Sequence, residues 1–317
     1  MKRTVRICAA AMAAVIAASA AYAGPISARI GISGQVWYSW WQPPWKNGDR
    51  LTVPQADILA SFPYRIKGYE TSPAPLFGFG VFAEILKTWY FSSSLMFGSY
   101  LSRSASAGPN PPYALSKLSF HREINKYDFD ANIGYRVNRY FSVFLCVKTR
   151  AYDYTERINN AIVTAAESMV YKASARGEHV DVGPGLGVSV IVPMPKYENI
   201  FFQFHGSGMV LATSASYTND YQYRMLNGAL SLPVGQYEKE SFYSWCGQGD
   251  LSLGYTLQSA GVTFMAGGRY EVTYYRHHRL IKGFLRYNGR YDHSYGMTVS
   301  IAYAVTLFGP DPVKMYE

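Results

Sequence analysis

Two acidic patterns in this chain carry the residue types that could activate a water molecule. Asp128 and Asp130 stand two apart, and so do His179 and Asp181. On an extended chain, residues two apart project from the same face, so each pair would present both of its groups to one space. His179 would then serve as general base, oriented by Asp181, while Asp128 and Asp130 position the attacking water. His205-Gly206-Ser207 places an imidazole and a hydroxyl on one face in the same way, the arrangement in which a neutral His takes the proton of a Ser nucleophile. Asp292-His293-Ser294 has similar residue types, but adjacent residues on a strand point to opposite faces and cannot converge.

These readings require strands, and strands are what the hydrophobic pattern predicts. Over Ala28 to Trp41, Ile30, Ile32, Val36, Tyr38 and Trp40 share one face, and Arg29, Ser33, Gln35 and Ser39 the other. From His293 to Phe308, Tyr295, Met297, Val299, Ile301, Tyr303, Val305 and Leu307 oppose a row of Ser, Gly, Thr and Ala. Strict alternation of this kind sorts residues on a strand and scrambles them on a helix. Eight more segments read as strands: Ala74 to Leu86, Thr88 to Ser102, Lys126 to Val137, Arg139 to Thr155, Glu178 to Val192, Asn199 to Tyr217, Gly247 to Gln258 and Gly261 to Arg276.

The connections alternate as well. Lys87, Asn138, Pro193 to Glu198 and Ser259-Ala260 are short; Gln42 to Pro73, Arg103 to Asn125, Glu156 to Gly177, Thr218 to Cys246 and His277 to Asp292 are long. Short turns at one end and long loops at the other describe an all-β, closed antiparallel transmembrane β-barrel of about ten strands, the short turns periplasmic and the long loops extracellular. Hydrocarbon offers no partner to a backbone amide, so a sheet that crosses it must close on itself. The segments exceed the roughly 9 to 11 residues needed to cross, so several hairpins should project beyond the outer surface. Tyr64 to Glu70 and Ser168 to Lys172 read as possible further strands, which keeps twelve open. Aromatic clusters fall where the two interfaces should lie: Trp37, Tyr38, Trp40 and Trp41; Trp89 and Tyr90; Tyr140 and Phe141; and Tyr274, Tyr275, Tyr291 and Tyr295.

The chain opens on Lys2, Arg3 and Arg6, continues through an apolar run to Ala20, and reaches Ala21-Tyr22-Ala23 before Gly24. A basic start, a short greasy middle and small residues at its end form a secretory signal peptide. Three parts follow: a leader at 1–23, a barrel at 24–308 and a short periplasmic tail at 309–317. The balance of 16% aromatic and 16% charged residues, with 28 Tyr and 28 Gly, suits a barrel with an apolar outer belt better than a soluble domain. The net charge of +9 falls to +6 without the three leader cations. That is too little to indicate a nucleic-acid partner, and it fits contact with anionic lipid head groups. Cys146 falls inside the membrane zone and Cys246 near a loop, which argues against a bridge. No metal-type Cys spacing and no phosphate-cradling glycine loop occur, so neither metal nor cofactor is expected.

By the same parity, Arg29, Glu84, Asp128, Asp130, Arg136, Lys148, Arg150, Asp181, Asp250, Arg269 and Glu271 face inward. A ten-stranded barrel is narrow, so side chains of both signs would knit a polar plug; a narrow conduit is the alternative. Arg276, His277, His278, Arg279, Lys282, Arg286 and Arg290 make the last long loop basic, suited to lipopolysaccharide phosphates or an external anionic ligand.

On these features the chain from Gly24 onward resembles the bacterial outer-membrane β-barrel class, and in its ten long strands it is similar to the omptin proteases. That resemblance implies an Asp pair and an Asp-His pair facing one another across an outer cleft, for which Asp128, Asp130, His179 and Asp181 are the matching residues. Omptin pairs come from opposite walls, whereas these pairs would stand two strands apart. His205 and Ser207 resemble the His-x-Ser of outer-membrane phospholipases and lipid A deacylases, although Gly208 stands where the phospholipase motif has Asn. The closing strand ends on Phe308, similar to the terminal aromatic that the barrel-assembly machinery recognises in this class; here nine residues follow it. The expectation is a non-catalytic barrel with a structural or surface-interaction role. A small-solute channel and a membrane-embedded hydrolase are the alternatives. Export should leave a mature chain beginning at Gly24, which intact mass and N-terminal sequencing of secreted material would show; retention of Met1 would remove the leader from this account.

Overall fold

The computed structural model describes residues 28–42, 73–85, 88–103, 116–163, 168–225, 231–275 and 291–308. They form ten strands in one sheet: β1 (Ala28–Gln42), β2 (Ala74–Ile85), β3 (Trp89–Arg103), β4 (Ser116–Arg136), β5 (Phe141–Val163), β6 (Ser168–Met194), β7 (Tyr197–Met225), β8 (Ser231–Leu257), β9 (Val262–Tyr275) and β10 (Tyr291–Phe308). Each strand pairs antiparallel with its sequence neighbours, and β10 closes the barrel onto β1 from Ala28↔Phe308 to Gln42↔His293. The possible strand at Ser168 to Lys172 is the outer start of β6, paired with β5 up to Val163↔Ser168, so among the described residues the count is ten. Tyr64 to Glu70, the leader, the tail and the basic cluster Arg276, His277, His278, Arg279, Lys282, Arg286 and Arg290 lie outside the described residues.

Two of the segments read as long loops are mostly strand. β5 and β6 continue to a connection at 164–167, and β7 and β8 to one at 226–230. Their alternation lacks the apolar face that marks a lipid-facing strand, yet backbone pairing does not require lipid, so the ladder runs on. The barrel is therefore uneven: β6, β7 and β8 have 27, 29 and 27 residues against 12 for β2 and 14 for β9.

The hydrogen-bond register sets the bore. From Arg29, paired partners run through Glu84, Tyr90, Gly134, Phe144, Gly187, Ser207, Gln248, Glu271 and Ser294 and return to β1 at Trp41, twelve residues up the strand. Ten strands with that shear tilt by about 40° and form a backbone cylinder of about 10 Å radius. Inward side chains from opposite walls therefore meet. Because the shear is even, every residue on this path faces inward, and parity is kept around the whole wall.

The outward face is the apolar one. Met297 and Leu186 are 67% and 66% exposed, and Ile32, Val299, Leu251, Leu145 and Phe77 all stand clear of the wall. The four short turns lie at one end, and their local chemistry is plain in the sequence. Asn138 Oδ1 accepts from the backbone N–H groups of Tyr140 and Phe141, both at 2.8 Å, the side-chain turn that Asn favours. Gly261 takes the left-handed φ of 65° that ends the β8–β9 turn, a region open to Gly without strain.

The girdle expected of Trp37, Tyr38, Trp40 and Trp41 divides by parity. Tyr38 and Trp40 stay outside, edge to face at 5.1 Å, and Trp40 stacks with Tyr295. Trp37 and Trp41 are buried in the lumen, as is Tyr275. Alternation outranks residue type here, since a one-residue step reverses the face. Cys246 also departs from expectation: it lies on β8 inside the lumen, in one apolar cluster with Phe144, Cys146, Met209 and Leu211, and both thiols are free.

At the closing seam, a Cβ on Gly296 would lie 1.9 Å from the Tyr38 carbonyl oxygen, so Gly296→Val must push β1 and β10 apart. We expect this substitution to lower stability by about 1–3 kcal/mol, read as an earlier urea midpoint of vesicle-inserted protein and a weakened heat-dependent gel shift. A midpoint equal to that of the parent would show that the seam is looser than the register implies.

Candidate functional site

Inward residues of β4, β5, β6, β8, β9 and β10 converge in the half of the lumen away from the short turns. Lys148 on β5 lies 2.9 Å from both Asp128 and Glu271 and 3.2 Å from Asp130, and it donates to the Gln248 side-chain oxygen at 3.1 Å. One turn of the pleat higher, Arg150 gives Asp181 Oδ2 two hydrogen bonds, from Nε at 2.9 Å and Nη2 at 2.6 Å, and reaches Glu271 at 2.7 Å with Nη1. Arg269 donates to Asp250 at 2.6 Å. Lys126 completes the set, 3.7 Å from both Asp128 and Glu271 and over the Trp37 ring at 4.9 Å.

Burial distinguishes this cluster from a rim of solvated charges. Lys126, Lys148 and Asp181 are 0% exposed, and Asp128, Arg150 and Glu271 are 1% exposed. An ion of either sign loses several kcal/mol of hydration in such a place, so opposite charges and hydrogen-bond donors are drawn together. Four cations, Lys126, Lys148, Arg150 and Arg269, face six carboxylates, Asp128, Asp130, Asp181, Asp250, Glu271 and Asp292, the last taking hydrogen bonds from Trp41 Nε1 at 2.6 Å and from Tyr152 and Tyr275. Aromatic rings roof the layer: Trp41 stacks on Tyr152 at 5.1 Å, and Tyr100 donates to Ser39 at 2.9 Å.

The sequence-predicted pairs sit within this layer. His179 Nε2 is 2.9 Å from Asp181 Oδ1, as a base and its orienting carboxylate would be. The Asp181 carboxylate, however, also takes both Arg150 bonds and the Thr213 hydroxyl at 2.7 Å. The His179 ring is enclosed by Tyr152, Tyr275 and Phe242. Asp128 and Asp130 hold Lys148 between them. Asp128, Asp130 and Asp181 are thus each paired with a cation, and the His179 imidazole is buried among aromatic rings beside the Asp181 carboxylate. His205 faces inward and stacks on Phe144 at 4.4 Å, and among the described residues no hydrogen bond joins it to Ser207. His293 points outward to Tyr270 at 2.8 Å, while Asp292 and Ser294 point inward and are buried.

Toward the short turns the lumen changes character. Ser33 and Gln35 on β1, Ser92 and Ser94 on β3, and Thr298 and Ser300 on β10 keep accessible surface. Higher on the same strands the inward Trp37, Met96 and, beyond Gly296, Ser294 are almost fully buried. Small polar side chains leave a space that the charged layer above closes, and the well has its own ion cluster at the mouth, Arg136 and Arg29 on Glu84 at 2.9 and 4.0 Å.

All eleven residues assigned inward by parity are in this lumen. Lys126, Asp292, Trp37, Trp41, Tyr152 and Gln248 belong there as well and were missed. Lys126 shares parity with Asp128 and Asp130, which is the signal that could have found it. Asp292 shares parity with the inward Ser294, which is its own signal in the sequence.

Lys148→Met would leave Asp128, Asp130 and Glu271 short of their shared cation. We expect a loss of about 3–5 kcal/mol, seen as a lowered urea midpoint in vesicles, with Lys239→Met on the outward surface as a silent control. A Lys148→Met midpoint within error of the parent would mean that these carboxylates do not depend on Lys148.

No protein-family model matches the chain, and no curated protein matches it. Among solved structures, it aligns with the outer membrane protease OmpT from Escherichia coli at 11% identity, covering 88% of this chain and 96% of that one, with a TM-score of 0.43. The translocator domain of the autotransporter NalP from Neisseria meningitidis aligns at 11% identity over 95% of this chain and 97% of that one, with a TM-score of 0.33. The Pseudomonas putida toluene transporter TodX aligns at 9% identity over 90% and 91%, with a TM-score of 0.32. What the chain's own register establishes is a closed, ten-stranded antiparallel β-barrel.

Proposed function

We propose that this chain is an exported outer-membrane β-barrel with a structural or surface-interaction role, non-catalytic, its lumen sealed by an ion-paired plug. The apolar outward face supports the membrane placement, because exposed rows of Met, Leu, Val and Ile on every side suit acyl chains and not water. The single observation that carries the non-conducting role is the charged layer itself: four cations and six carboxylates packed across a bore of about 10 Å backbone radius, most of them inaccessible to solvent. Lipopolysaccharide, the barrel-assembly machinery and an extracellular ligand at the outer loops are the partners this reading assigns.

A second reading, a narrow channel, is favoured by the accessible polar well at the short-turn end. Planar-bilayer recordings separate the two. The parent protein should give no steady conductance, whereas Lys148→Ala combined with Arg150→Ala, which removes the two cations at the centre of the layer, should give discrete current steps. Steady steps from the parent protein, altered in size by those substitutions, would overturn the sealed barrel and establish the channel.

A further inference from the structure

A groove of about 720 Å³ runs up the outward wall from the short-turn end toward mid-barrel. Its foot is set by Trp89 and Tyr135, packed edge to face at 5.2 Å, and its sides by Val143, Leu145 and Leu186. Its upper end is open because Gly206 and Gly208 face outward on β7, paired with the outward Gly249 and Gly247 of β8. Four glycines in a square thin that part of the wall, with the Phe204 ring beside Gly206 and open space at Gly208 and Gly249. A Cβ built on Gly208 would meet nothing within 4 Å, so the dent is empty space outside the wall. The volume falls in the range of sites that hold a small organic ligand.

The occupant's chemistry follows from the two ends. Walls without charge call for hydrocarbon. Below its sides the β4–β5 turn carries Arg139, four residues before Val143, its guanidinium over the Tyr140 ring at 4.5 Å. A cation beneath an apolar groove at an aromatic girdle matches a phosphate head group above which an acyl chain rises. We propose that this groove is a binding site for one anionic glycerophospholipid of the leaflet on the short-turn side. Its acyl chain lies against Gly206 and Gly208, and its phosphate is drawn to Arg139. The inference rests on the membrane placement proposed above.

The test uses the full chain purified in a non-ionic detergent and native mass spectrometry, with dioleoyl-phosphatidylglycerol and dioleoyl-phosphatidylethanolamine added one at a time. One phosphatidylglycerol should stay bound under activation that strips phosphatidylethanolamine. Gly208→Leu, which fills the groove without touching backbone, should cut that occupancy at least about fivefold. Gly268→Leu, outward on β9 and away from the groove, should leave it unchanged. Arg139→Glu should abolish the preference between the two lipids. Equal retention of both lipids by the parent protein, or full retention by Gly208→Leu, would overturn the site. A heat-dependent gel shift and vesicle insertion, measured on every variant, keep the outcomes separate. Protein that inserts but shows no lipid preference refutes the site alone, whereas protein that never inserts refutes the membrane placement.

Discussion

Closure of the sheet is the constraint on which the rest depends. Every strand must give its backbone N–H and C=O groups to two neighbours, and ten antiparallel strands satisfy that only when β10 returns to β1. The register at which they join, twelve residues of shear, then fixes tilt and radius together. A cylinder of about 10 Å backbone radius has no room for a wide pore, because inward side chains from opposite walls reach its axis. What fills the lumen is thus decided by which residues have inward parity, and closure makes those residues neighbours regardless of their distance in sequence.

The filling is polar, and its organisation follows from desolvation. A lone ammonium or carboxylate in this interior is costly, so the ions gather in a layer with shared members at its centre: Lys148 serves three carboxylates, and Glu271 receives Lys126, Lys148 and Arg150. Sharing makes the layer cooperative, since removal of one member strands several others. It also accounts for the two regimes of the lumen. Long charged and aromatic side chains close the half away from the short turns, and Ser, Thr and Gln leave the other half accessible.

Glycine has two distinct uses in the wall. At Gly296 and Gly134 it admits a neighbour, the Tyr38 carbonyl in the first case and the Tyr90 ring in the second, so the absent side chain permits close packing. At Gly208 and Gly249 nothing approaches, and the absent side chain leaves a hollow on the outward face. The first kind holds the barrel together, and the second shapes the surface it presents to its surroundings.

Period-two alternation was enough, by itself, to determine the class of fold, a strand number of about ten with twelve still open, the ends that bear short turns, and the side of the wall on which Arg29, Glu84, Arg150 or Glu271 would lie. Alternation is a local property, carried by each residue and its neighbours two away, so no tertiary knowledge is needed to see it. The outer limits of β5 to β8 escaped it because beyond the apolar belt both faces are polar and the pattern loses contrast, while backbone pairing continues. Only the closed structure decided who meets whom. Arg150 and Glu271 are 121 residues apart, and Trp41 and Asp292 are 251 apart, and no local signal measures such separations. For His179 and Asp181, the spacing promised an oriented base, and the structure committed the carboxylate to Arg150, because the β5–β6 register sets that residue directly opposite Asp181.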